Sequence, residues 1–156
     1  MKKILFIIAL TVSVFSSEKD LALDAMAFSS NNTNKSILII TDPECPFCKK
    51  LAKDKNNKLK EYKINYVLVA LPYHKEAKQM ISYILSAKTN DEKYHRYIEI
   101  MIGDDISYKE YPTDVELVEK YLKKSMKLVK QLGINSVPKL FEPEENEFFE
   151  TTYEEM

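Results

Sequence analysis

Two short apolar runs constrain the fold of this chain more than any other feature. Residues 36–41 (SILIIT) and 63–71 (KINYVLVAL) are continuous and rich in β-branched residues. Both are too short for buried helices, so they read as buried strands. Between them, residues 46–59 turn Lys-rich, with Phe47, Leu51 and Leu59 on a helical spacing. Strand, helix, strand is the start of an α/β pattern. The middle of the chain is helical: 74–88 and 90–102 carry apolar residues at three- and four-residue spacing, with Gly103 as a stop. Residues 113–132 have the strongest helical pattern, with Val115, Val118, Tyr121, Leu122, Met126, Val129 and Leu132 on one face. Thr113 with Glu116 three residues on is a capping-box pattern. Gly133 stands where a left-handed C-terminal cap is needed. Two short strands, 137–142 and 147–151, close the chain around a turn at 143–146. The whole predicts an α/β domain with a mixed sheet over residues 36–156.

Upstream, residues 18–35 read as an N-terminal arm. Leu21, Leu23, Ala25, Met26 and Phe28 suit a short helix or docking segment, and 29–35 (SSNNTNK) read as a loop. The first segment reads as an address. Lys2 and Lys3 precede an apolar run, 4–15, that falls short of the roughly 20 residues a membrane-spanning helix needs. Ser13, Ser16 and Ser17 follow as small residues suited to cleavage, so 1–17 are expected to be a secretory signal peptide. A short uncleaved anchor is the alternative. No cysteine ends the run, which excludes a lipoprotein anchor. An exported chain works where disulfides persist, and a periplasmic location is expected.

Composition removes several function classes. The 156 residues hold 23 Lys plus Arg and 24 Asp plus Glu, a net charge of −1, which leaves no electrostatic footprint for nucleic acid. Only two glycines are present, so Gly-rich phosphate loops are absent. Two cysteines cannot make a disulfide-dense scaffold.

Those two cysteines carry the chemistry. Cys45-Pro46-Phe47-Cys48 follows the first strand and opens the first helix. A helix N-terminus presents unpaired N–H groups and positive dipole to Cys45, favouring thiolate. One turn later, Cys48 is within reach to resolve a mixed disulfide. Pro46 suits the first turn, where its missing N–H is not needed. Haem attachment would need His after the second cysteine, where Lys49 stands. A structural zinc site would need four ligands, and Cys45, Cys48, His74 and His95 have no finger-like spacing. A structural disulfide stays open as an alternative.

The stretch Thr41-Asp42-Pro43-Glu44-Cys45-Pro46-Phe47-Cys48-Lys49-Lys50-Leu51 resembles the active-site region of exported thiol-disulfide oxidoreductases of the thioredoxin superfamily, above all its DsbC/DsbG branch. Leu132-Gly133-Ile134-Asn135-Ser136-Val137-Pro138 is similar to that family's cis-proline loop. The resemblance runs over about residues 36–150. It implies a thioredoxin fold with a central mixed sheet flanked by helices and a helical insert, 72–132, before the cis-proline loop. It further implies that Cys45 and Cys48 are catalytic, and that Val137 and Pro138, with Pro46 and Phe47, meet an extended substrate peptide. With only 18–35 between leader and first strand, the branch's dimerisation domain is expected to be missing and a monomer is expected. Val137 before the proline is closer to the DsbA oxidases. Ile39 stands where thioredoxins of the cytoplasm have a buried Asp, which weakens a reductase reading.

The expected function is therefore exported thiol-disulfide exchange without metal or organic cofactor. Its expected partners are secreted or unfolded polypeptides and a membrane redox partner. A non-catalytic thioredoxin-like binding module with a structural disulfide is the competing reading. Among the remaining residues, Asp42 and Glu44 flank the pair and suit a proton acceptor or relay, but a charge there opposes the thiolate, so a solvated surface role is expected. His74 and His95 are expected at surface or core positions rather than on metal. Lys49, Lys50, Lys53, Lys55 and Lys58 form a solvated face, with Lys49 near enough to hold a thiolate. Tyr83, Tyr94, Tyr97 and Tyr108 are expected as core and surface aromatics.

Overall fold

The computed structural model describes residues 17–30, 35–54, 58–103, 106–144 and 147–155. In chain order these form α1 (Glu18–Ala25), β1 (Phe28–Ser30), β2 (Lys35–Thr41), α2 (Pro46–Lys53), β3 (Tyr62–Leu68), α3 (Ala77–Leu85), α4 (Asn90–Ile102), α5 (Val115–Gln131), β4 (Lys139–Glu144) and β5 (Glu147–Thr151). Short 3-10 turns occupy Lys58–Glu61 and Ser107–Glu110. The strands make one five-stranded sheet in the order β1-β3-β2-β4-β5. β2 and β3 run parallel and the other pairs antiparallel, so the sheet is mixed.

Alternation along each strand sends its side chains to two separate cores. Ile37 and Ile39 of β2, Ile64, Tyr66 and Leu68 of β3, and Leu140 of β4 face one side, together with residues of α2, α3 and α4. Leu38, Ile40, Val67, Val69 and Phe141 face the other, against α1 and Leu128 of α5. The apolar stripe of α5 serves both: Val118 and Tyr121 join the first core and Leu128 the second. Burial on both faces is why the two runs carry no polar alternation.

Several boundaries differ from the sequence pattern, each for a local reason. Ser29 and Ser30, expected in a loop, belong to β1 and pair with Asn65 and Ile64. The helix expected from residue 74 begins at Ala77, because the Glu44 carboxylate accepts the amides of Glu76 and Ala77 at 2.7 and 2.9 Å. The cap of α5 is Asp114 rather than Thr113. Its Oδ1 accepts the Leu117 amide at 2.9 Å, while its own N–H donates to Ser82 Oγ at 2.8 Å. α2 ends at Lys53 rather than continuing to Leu59, and residues 55–57 lie outside the described ones. Gly133 has φ 65°, and the Ile134 amide reaches back to the Val129 carbonyl at 3.0 Å, the expected left-handed cap. The expected leader lies outside the described residues apart from Ser17, which caps α1 by accepting the Asp20 amide.

Candidate active site

The C-terminal ends of the parallel strands β2 and β3 meet the N-terminus of α2, and the two cysteines lie at that junction. β2 stops at Thr41 because Asp42 turns the chain. The Asp42 carboxylate accepts the Glu44 amide at 2.8 Å, an Asx turn, and the Asp42 carbonyl accepts the Cys45 amide at 3.1 Å. Cys45 is then the N-cap of α2, with φ −66° and ψ 124°, and its carbonyl takes the first helical bond from Lys49. Pro46 occupies the first helical turn, where no N–H is missed. One turn on, Cys48 points under the sheet end and is 1% exposed, while Cys45 is 4% exposed.

The second loop comes from a distant part of the chain. The Val137–Pro138 peptide is cis, and the Cys45 thiol donates to the Val137 carbonyl at 3.8 Å across 92 positions of sequence. Val137 and Pro138 are half-buried, and Phe47 stands 72% exposed beside them. Phe47, Lys50, Leu51, Pro138 and Tyr153 line an open groove of about 590 Å3 between the first turn of α2 and the cis-proline. The six residues singled out from sequence, Cys45, Pro46, Phe47, Cys48, Val137 and Pro138, thus fall at one site.

Cys48 and Cys45 occupy different environments. Burial pushes the Cys48 thiol up to about 12. The Asp42 N–H, 3.5 Å from its sulfur, and the Thr41 hydroxyl pull the other way, while the neighbouring Cys45 adds to the rise. Cys48 is thus a proton-holding thiol at neutral pH. Cys45, at the helix end, is the less buried of the two sulfurs.

Asp42 is the largest departure from the sequence expectation. Expected on the surface, it is fully buried. Its carboxylate accepts the Leu71 amide at 2.7 Å and lies 2.8 Å from His74 Nδ1, in addition to the Glu44 amide. The buried carboxyl keeps partners for both oxygens, two backbone N–H donors and the His74 ring. Glu44, also expected to be solvated, is half-buried and caps α3. Together the two carboxylates stitch the β2–α2 turn to the β3–α3 turn. His95 is exposed and pairs with Glu99 at 3.2 Å on α4. Tyr97 is fully buried with its hydroxyl 3.2 Å from Thr41 Oγ1. Tyr108 donates to Glu76 at 2.5 Å. The Glu76 carboxyl is held low first by Tyr108 and then by Lys109, with a smaller share from Lys49. Among the described residues, no group of three or more His, Cys, Asp or Glu side chains is placed to hold a metal ion.

Sequence reasoning gave His74 and Tyr97 no part in the site, named Thr41 and Asp42 only within the motif stretch, and preferred a solvated place for Asp42 over a proton relay. Only Asp42 left a local trace, the Asp-Pro-Glu turn; the partners lie 29 to 56 positions away.

Comparison with known proteins agrees with this architecture. Residues 23–150 match the thioredoxin-like domain family. No individual curated protein matches the sequence. Among solved structures, DsbG of Helicobacter pylori superposes with a TM-score of 0.63 at 19% identity, over 80% of this chain and 58% of that one. DsbA2 of Pseudomonas aeruginosa gives 0.62 at 14% identity, over 83% and 90%. Oxidised BdbD of Bacillus subtilis gives 0.60 at 12% identity, over 81% and 85%. The chain spans 58% of the length of the Helicobacter protein, and identities this low speak to the fold alone. With the family match running across all five strands up to Glu150 and the cysteine turn at the sheet's end, this chain belongs to the thioredoxin-like domain family.

Proposed function

We propose that the protein exchanges disulfides with polypeptide substrates through Cys45 and Cys48. The observation that carries the reading is the position of Cys45, at the N-cap of α2 with its sulfur against Val137 and the groove beside it. A substrate thiolate attacks Cys45 Sγ of the disulfide form. The S–S bond breaks, and its electron pair stays on Cys48, which takes up a proton. A second substrate thiolate then attacks the substrate sulfur of the mixed disulfide and expels Cys45 as thiolate. Two electrons pass to the protein, and the substrate leaves as a disulfide. The reverse sequence reduces or shuffles a substrate disulfide.

The raised Cys48 thiol supports this order, because the sulfur that keeps its proton resolves rather than attacks. The exposed ring of Phe47 and the Val137–Pro138 edge suit an extended peptide that pairs its backbone and lays an apolar side chain in the groove. Asn-Ser-Val-Pro ahead of β4 and the Thr-Asp ending of β2 resemble the Dsb branch, which supports a protein substrate over a small thiol. The basic start and apolar run of residues 1–17 support export as a signal peptide and a periplasmic place of work, with a membrane redox partner to reset the pair. The domain expected from residue 36 gains α1 and β1, which belong to its core and sheet, and in this reading it works as a monomer.

The test is Cys48→Ser. With its resolving sulfur removed, the variant is expected to accumulate mixed disulfides through Cys45, seen as reductant-sensitive bands on a non-reducing gel. Cys45→Ser is expected to trap none. A protein that retains one partner with both cysteines replaced and forms no adduct is a binding module, not an exchanger.

A further inference from the structure

Two buried lines of contact end on the sulfur of Cys48. One starts at His74, in the turn between β3 and α3. Its side chain is 11% exposed, its Nδ1 sits 2.8 Å from Asp42 Oδ2, and the Tyr73 ring packs edge-on against it at 4.6 Å. With the amides of Leu71 and Glu44 on the same carboxylate, Asp42 is held from three sides, and its own N–H points at Cys48 Sγ at 3.5 Å. The other line starts at Tyr97 on α4. Its hydroxyl meets Thr41 Oγ1 at 3.2 Å, and the Thr41 hydroxyl is near enough to Cys48 to draw the ionisation of its thiol downward. A hydroxyl has a single proton to give, so a Thr41 that donates to sulfur accepts from Tyr97.

Resting on the exchange reading above, we infer that His74 and Tyr97 are positioning residues of the redox pair. Acting through Asp42 and Thr41, they hold two hydrogen-bond donors on Cys48 and favour the dithiol over the disulfide. The physical reason is a difference in acceptor strength. A thiol sulfur, and still more a thiolate, accepts these bonds; a disulfide sulfur accepts them poorly. Each donor therefore stabilises the reduced protein more than the oxidised one, and a stabilised reduced form is what makes such a pair a stronger oxidant. The helical insert, whose first turn and second helix bear His74 and Tyr97, thereby sets how readily the pair takes electrons.

The test equilibrates the full chain with reduced and oxidised glutathione and reads the thiols by alkylation and gel shift. Two glutathione thiols become one disulfide as the Cys45–Cys48 bond takes up two electrons and two protons. His74→Leu is expected to shift the constant about tenfold toward the protein disulfide, a potential about 30 mV more negative. His74→Asn keeps an N–H donor near the place of Nδ1 and is expected to return within about threefold of the parent. Tyr97→Phe keeps the ring and its packing and is expected to move the constant the same way by about threefold, which keeps the test open if His74→Leu fails to fold. Urea unfolding of both redox forms closes the cycle: the variants should lose more stability reduced than oxidised, by the same factor. Equal losses in both forms, with the glutathione constant unchanged, would mean packing alone and overturn the inference. A parent protein whose pair does not exchange with glutathione at all overturns the exchange reading instead, before any variant is compared.

Discussion

At the scale of single residues, the two sulfurs differ because one closes a helix end and the other is driven beneath it. The Cys48 thiol ionises near 9.0 in ordinary surroundings and at about 12 in the fold, chiefly from burial. Between those values the unfolded reduced chain binds fewer protons than the folded one, so stability falls as pH rises. The contribution is intact below about pH 8 and is lost on the way from 9 to 12. The disulfide form lacks this group, whereas Tyr66, Tyr97 and Tyr121, also pushed up by burial, titrate in both forms. Urea midpoints of reduced and oxidised protein at about pH 7 and pH 10 should therefore diverge, with the reduced form losing more. A constant gap would place Cys48 in a more polar setting than the one described. Cys45, Cys48 and the Val137–Pro138 pair were legible in the sequence because their motifs are short and ordered. Asp42 was not, since the donors that make its burial tolerable belong to Leu71 and His74 beyond another helix and strand.

At the scale of elements, caps decide boundaries that periodicity leaves loose. Thr113 and Asp114 are adjacent candidates for the start of α5, and only the side chain of Asp114 reaches an amide of the first turn. Asp114→Ala is expected to cost about 1 kcal/mol in urea unfolding, and Thr113→Ala close to nothing. The reverse result would restore the Thr113 cap. β2, β3, α4 and α5 were legible to within two or three residues because each carries its own apolar period or stop. β1 was not: three residues, two of them serine, form a strand only because β3 offers them an edge. α3 was displaced for a related reason, its first amides being claimed by Glu44 from the neighbouring turn.

At the scale of the whole molecule, α5 is the beam that joins the layers. The Tyr121 hydroxyl donates to the Ala25 carbonyl of α1 at 2.9 Å and accepts the Leu68 amide of β3 at 2.8 Å. Tyr121→Phe leaves both buried groups without that partner and is expected to cost about 1–3 kcal/mol. A loss well below that range would show that α1 docks by apolar contact alone. The sequence marked Tyr121 only as one position of an apolar stripe, since nothing local predicts which strand and helix its oxygen will bridge. The amide of Phe148 on β5 reaches back to Glu18 of α1, across 130 positions. That closure has a bearing on how the chain is born. Strand order places β4 and β5 outside β2, so the Ile37–Ile40 row keeps one open edge until Lys139–Glu144 has been made and has docked. Until then the chain carries a sticky strand without its neighbour, and its exposure to aggregation is set by how long β4 takes to dock and by whatever shields that strand while it waits.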